Sequence, residues 1–316
     1  MLDNMFHGKL LIKVLHNPLL PFRYESWNIG VIYNYSQSDL LSKNCTDIAW
    51  LPPLKGGYFR ADPFITDYFG NTTVFFENYD MNRGLGNISY FELNDDKGSI
   101  NLMSSKMIHK ALEEATHLSF PYLFEYQENL YMVPENYQSN KIRFYVSENS
   151  PAKWRECACC IENFPGIDPI IFEYDGIWWL FATPYDEDNN ISRTNLHIWY
   201  SETPLGKWKE HPLNPIIYSE PIARNGGRPI LMGDTLYRLS QDCTNRYGEK
   251  LVINKIIKLT PTEFKEEVVS KLGGYKPYDE AFHTFNSCKN ISVIDGNRYK
   301  YSIRTAIQNA KNLLRK

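Results

Sequence analysis

The feature that most constrains this chain is a pattern that its sequence repeats four times. Each copy has a small or polar residue, a proline, a short apolar segment, a turn rich in Gly, Asp or Asn, and a second apolar segment. The copies are ADPFITDYFGNTTVFFE, SFPYLFEYQENLYMVPE, IDPIIFEYDGIWWLFATP and GRPILMGDTLYRLSQD. Two apolar segments around a turn predict a β-hairpin, and proline fits a strand only at its start or edge. A repeated hairpin predicts an all-β repeat architecture.

Alignment of the copies on their prolines identifies two sets of equivalent positions. The residues before proline are Asp62, Phe120, Asp168 and Arg228. The second apolar segments end at Glu77, Glu135, Thr183 and Gln241. The spacing between the two sets is the same in the first three copies and shorter in the fourth, which indicates a tighter turn there.

A weaker fifth copy, AFHTFNSCKNISVIDG, places His283 near the position before proline. The copies recur about every 50 to 60 residues, a period that suits a four-stranded propeller blade. We therefore predict one five-bladed β-propeller over residues 1–316, with the repeats at about 55–300. The N-terminal WNIGVIYNY is expected to supply an outer strand of the last blade, which avoids an open sheet edge. The final RTAIQNAKNLLRK is expected to form a short terminal helix.

The composition excludes several classes of function. The 34 basic and 37 acidic residues are interspersed and give a net charge of -3, so no basic face suggests nucleic-acid binding. The N-terminus has no signal-peptide cleavage site and no run is long enough to cross a membrane, so we expect a cytoplasmic protein. The six cysteines lack the paired spacing of a zinc site, and neither GxGxxG nor GxxxxGK[ST] occurs. We expect no metal and no cofactor.

Three carboxyl groups are the catalytic candidates: Asp62, Asp168 and Glu135. If the opening strands line the axis, Asp62 and Asp168 face one cavity although they come from non-adjacent blades. Carboxyl groups whose environments separate their pKa values can act as acid and base, or as acid and nucleophile, at a glycosidic bond. Glu135 ends its strand among apolar residues, where burial would raise its pKa. The alternative is that Asp before proline only accepts backbone hydrogen bonds from a turn.

A second set of residues is expected to bind substrate. Histidines that precede opening strands can donate to a sugar hydroxyl or, if protonated, contact a phosphate. Arginines around a glycine pair offer donors to a carboxylate or phosphate. Each of these residues can instead be purely structural. The set comprises Glu77, His117, Arg224, Arg228, Gln241, Asp242 and His283.

The motifs RADPF, HLSFPYLFEYQENLYMVPE, DPIIF with WWLFATP, W-x-x-HPLNPI, AR-x-GG and QDC-x3-YG resemble a known family. They are similar to the propeller domain of the glucosamine inositolphosphorylceramide transferases and of bacterial relatives in surface-polysaccharide clusters. That domain in turn resembles five-bladed glycoside hydrolases, which implies Asp62 as base or nucleophile and Asp168 as the residue that tunes its pKa. The general acid of those hydrolases has no clear counterpart, and Phe120 stands where an Asp might be expected.

Three functions remain open from the sequence. The first is a cytoplasmic glycosyltransferase of surface-polysaccharide biosynthesis, which transfers a sugar from a phosphorylated donor to a glycan acceptor. In a narrower form of this hypothesis the donor sugar is a furanoside. The second is a glycoside hydrolase or phosphorylase, and the third is a non-catalytic glycan-binding propeller. The plant relatives join the propeller to a separate transferase domain, so the resemblance implies that this propeller acts alone or with a separate partner enzyme of polysaccharide biosynthesis.

Overall fold

The computed structural model describes residues 18–42, 47–54, 57–93, 107–186, 193–303 and 305–307. Within them the chain is built almost entirely of strands. The helical elements are short: α1 at Asp39–Ser42 and 3-10 turns at Leu20–Phe22 and Tyr137–Ser139. Residues 303 and 305–307 are also helical, and the rest of the predicted terminal helix lies outside the described residues. In the part of the chain that is described, no helix has the length and apolarity needed to cross a membrane.

The strands form five antiparallel sheets, which are the five predicted blades. The first strands in the chain, β1 (Arg23–Tyr33) and β2 (Ala49–Trp50), belong to blade 5. Blade 1 contains β3 (Tyr58–Thr66), β4 (Thr72–Asp80), β5 (Leu85–Leu93) and β6 (His109–Leu112). Blade 2 contains β7 (Ser119–Tyr126), β8 (Asn129–Glu135), β9 (Lys141–Ser147) and β10 (Trp154–Glu162).

The later blades follow the same order. Blade 3 contains β11 (Gly166–Tyr174), β12 (Ile177–Pro184), β13 (Asn195–Ser201), β14 (Lys209–Glu210) and β15 (Ile217–Tyr218). Blade 4 contains β16 (Ile230–Met232), β17 (Thr235–Asp242), β18 (Lys250–Leu259) and β19 (Phe264–Leu272). Blade 5 runs β2, β1, β21 (Ile291–Tyr301) and β20 (Phe285–Cys288) from one edge to the other.

The N-terminal strand closes the ring, as the sequence predicted, although the outermost strand of blade 5 is β2 and not β1. β1 pairs with β21 along its whole length, from Arg23 opposite Tyr301 to Tyr33 opposite Ile291. Ile29 and Val31 of β1 are fully buried and pack with core residues of blade 1. The first and last parts of the chain therefore hold one blade together, and this blade joins blade 1 to blade 4.

A bulge interrupts the first strand of three blades at the residue before proline. Asp62, Phe120 and Asp168 have φ of +52°, +44° and +47°, and the pairing with the second strand shifts register at each of them. A non-glycine residue adopts this left-handed conformation only where the surroundings enforce it. The bulge redirects the side chain and ends regular pairing, which places the three side chains at the axis.

The fourth copy differs at this position. Its left-handed residue is Gly227, with φ of +138°, one position before Arg228. Regular pairing in blade 4 starts only at Ile230. The irregular segment before it carries Arg224 toward the axis and leaves Arg228 beyond the bend.

Candidate active site

A cavity of about 380 Å³ opens at the end of the axis where the first strands begin, and we refer to it as the central cavity. All five blades contribute to its wall. Acidic, histidine and aromatic side chains dominate it. The lining residues are Glu25, Trp27, Phe59, Ala61, Asp62, Glu77, Tyr79, Met81, His117, Ser119, Glu135, Tyr137, Ile167, Tyr185, Arg224, Tyr247 and His283.

Asp62 is buried at the base of the central cavity, with one carboxylate oxygen held and the other open. The Thr284 hydroxyl donates to Asp62 Oδ1 over 2.9 Å, and His283 Nδ1 lies 3.7 Å from the same oxygen. Among the described residues, no donor reaches Asp62 Oδ2. Burial raises the pKa of Asp62 to about 6, and the positive charge of His283 limits this rise. At neutral pH the carboxylate is mostly ionised and one oxygen faces the cavity.

Asp295 fixes the position of both Asp62 and His283. Its Oδ2 accepts from the Asp62 backbone N–H over 3.1 Å and forms an ion pair with His283 Nδ1 at 2.7 Å, and its Oδ1 accepts from the backbone N–H groups of His283 and Thr284. His283 Nδ1 also lies within hydrogen-bond distance of the Thr284 hydroxyl, at 3.0 Å. Burial lowers the pKa of His283, but the carboxylates of Asp295 and Asp62 outweigh it and raise that pKa. Trp27 stacks on the imidazole at 4.1 Å between ring centroids.

The side chains of Asp62, His283 and Asp295 are near enough to share a cation. Their donor set does not favour one, because the Asp295 carboxylate already accepts three backbone hydrogen bonds and pairs with His283 Nδ1, which also contacts the Thr284 hydroxyl. The group fits a hydrogen-bonded clamp that holds Asp62 in place.

Glu77 lies near the end of β4 and lines the central cavity without a hydrogen bond from any described residue. Burial raises its pKa well above the ordinary value, and the charges of Asp62 and Glu135 add to the rise. His117 Nε2 lies 3.6 Å from Glu77 Oε1, while His117 Nδ1 accepts from the Gly86 backbone N–H over 2.8 Å. That acceptance places the histidine proton on Nε2, toward Glu77.

His117 is therefore neutral at physiological pH. Burial lowers its pKa to about 4, so it cannot act as the cation that a phosphate contact would need. Its Nε2–H remains available to donate to Glu77 or to a sugar hydroxyl. Of the two roles that the sequence suggested for His117, the geometry fits the neutral one.

Glu135, Asp168 and Arg224 form a second charged group beside the first. Arg224 Nε donates to Asp168 Oδ2 over 2.6 Å, and Arg224 Nη2 lies 3.9 Å from Glu135 Oε2. The Asp168 backbone N–H donates to Glu135 Oε2 over 3.0 Å. Burial and the neighbouring charge of Asp168 together raise the pKa of Glu135 to about 8, and the positive charge of Arg224 offsets only part of this rise. Glu135 is thus mostly protonated at neutral pH.

The sequence predicted that Asp168 faces the same cavity as Asp62, but Asp168 is not a lining residue and is buried below the cavity wall. Gln241 Nε2 donates to Asp168 Oδ2 over 3.0 Å, and Asn225 Nδ2 donates to the Asp168 carbonyl oxygen. The guanidinium of Arg224 lies 4.7 Å from the ring centre of Tyr247, and its Nη2 donates to the Tyr247 hydroxyl. Asp168 and Gln241 therefore position Arg224 and Glu135 from behind.

Two of the residues that the sequence singled out lie away from the central cavity. Arg228 lines a separate cavity of about 330 Å³ beyond the bulges, where its Nη2 donates to the Leu123 carbonyl oxygen. Asp242 accepts from Lys271 and Thr244 and is not part of the lining. The other predicted residues line the central cavity or contact a residue that does.

Sequence reasoning missed Asp295 and the tyrosines of the cavity wall. Both have a signal in the repeats. The second apolar segment of the fifth copy ends in Asp295, as those of the first two copies end in Glu77 and Glu135. A tyrosine follows the end of the second segment by two residues in three copies, at Tyr79, Tyr137 and Tyr185.

A family model described as "Glucosamine inositolphosphorylceramide transferase 1, N-terminal" matches residues 53–296. The chain belongs to this glucosamine inositolphosphorylceramide transferase family. The match spans all five hairpin copies and includes Asp62, Glu77 and Glu135 of the central cavity.

Two plant members of the glucosamine inositolphosphorylceramide transferase family, both named glucosamine inositolphosphorylceramide transferase 1, give the scale of the likeness. The rice protein (Oryza sativa subsp. japonica) is 35% identical over 271 residues, covering 79% of this chain and 36% of the rice protein. The Arabidopsis thaliana protein is 32% identical over 308 residues, covering 86% of this chain and 39% of that protein. The chain thus spans less than half the length of either relative.

Among solved structures, an exo-β-1,3-galactanase from Clostridium thermocellum superposes with a TM-score of 0.50. It is 8% identical and the match covers 70% of this chain and 53% of the galactanase chain. At this identity the likeness shows the propeller fold alone.

Proposed function

We propose that this propeller is a carbohydrate-active enzyme that transfers a glycosyl group by acid and base catalysis in the central cavity. One observation carries the proposal: Asp62, with one carboxylate oxygen open to the cavity, shares it with Glu77 and Glu135, two buried carboxyl groups whose pKa values burial raises. Environments that push carboxyl pKa values apart assign the acid and the base. The plant relatives, of which this chain matches 36% and 39%, are named as transferases, which favours transfer to an acceptor over release to water.

The proposed reaction exchanges one bond at the anomeric carbon for another and moves two protons between the sugars and the carboxyl groups. Glu135 gives its proton to the glycosidic oxygen as the bond from the anomeric carbon to that oxygen breaks. Asp62 takes the proton of the acceptor hydroxyl, whose oxygen bonds to the anomeric carbon. Water in place of the acceptor would give hydrolysis. Glu77 is the other carboxyl group that can supply the proton.

The test uses aryl glycosides whose leaving phenols differ in pKa. Glu135→Gln should slow release of phenol by about 100- to 10,000-fold. It should slow release of 2,4-dinitrophenol far less, because that phenol leaves without a proton. Asp62→Asn should slow both. A selective loss in Glu77→Gln would make Glu77 the acid.

The matched control is Glu173→Gln, since Glu173 is an exposed carboxylate outside the central cavity. Products are separated by mass spectrometry with and without added sugar acceptors, and a new glycosidic bond distinguishes transfer from hydrolysis. Unchanged rates in Asp62→Asn would contradict the proposal. Sugar binding without turnover would leave a glycan-binding propeller.

A second candidate is transfer from a phosphorylated donor, furanosyl in its narrower form. Arg224 favours it, because its guanidinium lines the cavity. Against it, Asp168 at 2.6 Å already matches that charge, and the open groups nearby are carboxyls. Thermal stabilisation by nucleotide sugars but by no neutral oligosaccharide would favour this candidate. The cytoplasmic location and the role in surface-polysaccharide synthesis stay predictions.

A further inference from the structure

Three neighbouring blades each place a tyrosine in the central cavity at the same position of the repeat. Tyr79, Tyr137 and Tyr185 come two residues after Glu77, Glu135 and Thr183, which lie at or near the ends of the second strands. Glu77 and Tyr79 point to the same face of β4, because side chains two residues apart on an extended strand do so. Tyr137 begins the 3-10 turn that follows β8, and Tyr185 comes directly after β12. All three tyrosines line the central cavity together with the two glutamates. We call Tyr79, Tyr137 and Tyr185 the tyrosine arc.

The tyrosine arc is packed into two stacked pairs of rings. Tyr137 and Tyr185 stack with 4.0 Å between ring centroids and 20° between ring planes, which joins blade 2 to blade 3. Tyr79 stacks on Phe59 at 4.6 Å and 17°. Tyr79 also meets the ring of His117 edge to face. The rings therefore hold one another in fixed positions beside the protonated glutamates.

The arc covers one side of the cavity only. The equivalent positions of blades 4 and 5 hold Cys243 and Asn297, and neither lines the cavity. The wall from blades 4 and 5 carries the charged groups of Arg224 and Glu25 together with the rings of Trp27 and Tyr247. Rigid aromatic rings with hydroxyl tips are the surface that the apolar face of a sugar ring prefers. The tyrosine arc thus offers a rigid aromatic surface for a neutral ring directly beside the carboxyl groups of blades 1 and 2.

We infer that the tyrosine arc is a subsite for a second sugar ring, so that the substrate is a neutral oligosaccharide that extends from the carboxyl groups toward blades 1 to 3. The inference rests on the proposed function for the position of the reacting ring. The two make different predictions, because the tyrosine arc sets the affinity for the neighbouring sugar ring and takes no part in proton transfer.

The experiment is equilibrium binding by calorimetry to Asp62→Asn, which prevents turnover. The probes are methyl glycosides of galactose, arabinose, xylose and N-acetylglucosamine, with the corresponding disaccharides and trisaccharides. Longer probes should bind more tightly than the methyl glycoside. Adding Tyr137→Ala should weaken the affinity for the longer probes about tenfold. It should change the affinity for the methyl glycoside by no more than about twofold.

Tyr137→Phe is the matched control, because it keeps the stacking ring and should keep the tighter binding. Tyr218→Ala, at a tyrosine that is 72% exposed and outside the cavity, should have no effect. The melting temperature and circular dichroism of each variant show that it is folded, and Tyr185→Ala repeats the test on the stacking partner.

Equal affinity for long and short probes, or undiminished affinity in both alanine variants, would overturn the inference. Stacking tolerates different sugars, so absence of binding across the whole panel would overturn it as well. Failure of the proposed function has a different signature, namely unchanged turnover of aryl glycosides in Asp62→Asn.

Discussion

The buried acids of the central cavity show how one residue type acquires different charges from its surroundings. Asp62 keeps a pKa of about 6 because a charged histidine and a hydroxyl oppose the effect of burial. Glu135 reaches a pKa of about 8 because burial and the neighbouring Asp168 act together. Burial disfavours the charged form of every carboxyl group, so the nearest partners decide which group stays ionised.

These two pKa values predict a bell-shaped dependence of kcat/KM on pH. Asp62 is inactive as base when protonated, so activity should fall as pH drops through about 6. Glu135 is inactive as acid when ionised, so activity should fall as pH rises through about 8. Initial rates with an aryl glycoside of a poor leaving group measure both limbs. Glu135→Gln should lose the alkaline limb and keep the acid limb, and survival of the alkaline limb would transfer the acid role to Glu77.

At the scale of the element, the bulge in the first strand redirects the side chain that precedes proline and ends regular pairing with the second strand. It recurs with a left-handed residue in blades 1 to 3, and in blade 4 that residue is Gly227. A Cβ at Gly227 would lie 2.1 Å from the carbonyl oxygen of Phe285, which belongs to blade 5. The backbones of two blades thus touch at this glycine.

Gly227→Ala should therefore lower the free energy of unfolding by about 3 kcal/mol, since neither backbone can yield. Chemical denaturation measures the change. Gly233→Ala is the control, because Gly233 also has positive φ, at +57°, but a Cβ there meets nothing within 4 Å. The control should cost only about 1 kcal/mol. Equal losses in the two variants would show that the left-handed backbone, and not the contact between blades, explains the effect.

For the whole molecule, closure of the ring joins the two ends of the chain. β1 lies between β21 and β2, and its buried residues pack on blade 1. A propeller whose last blade is completed by the N-terminal strand cannot lose that strand without opening a sheet edge and exposing the core beside it. We expect the five blades to unfold as one unit.

Ile29→Ala tests this expectation, because Ile29 is fully buried between blades 5 and 1. The void left by the smaller side chain should lower the free energy of unfolding by about 3 kcal/mol. Hydrogen exchange should show the same loss of protection in β17 of blade 4 as in β1, since one opening event exposes both. Ile257→Ala, at a residue 45% exposed, should change neither. A loss confined to β1 and β21 would mean that blades unfold separately.

Much of the fold was readable from the sequence because a propeller repeats the same local pattern. Proline at the strand start, apolar segments and turn residues are local signals, and each of the five copies carries most of them. The same alignment located Asp62, Glu77 and Glu135 in one cavity. The alignment also grouped Arg228 with them, but Arg228 lies in a separate cavity. The left-handed residue of blade 4 is Gly227, so the chain bends one position earlier there than in blades 1 to 3.

The sequence by itself determined the five hairpins, the closing strand and the acidic positions of the repeat, because spacing along the chain specifies them. Only the tertiary structure decided that Arg224 lines the cavity and is neutralised by Asp168, that Asp295 clamps Asp62, and that His117 is neutral. Charge states and hydrogen-bond partners depend on which atoms from different blades meet in low dielectric, and that meeting is a property of the closed ring.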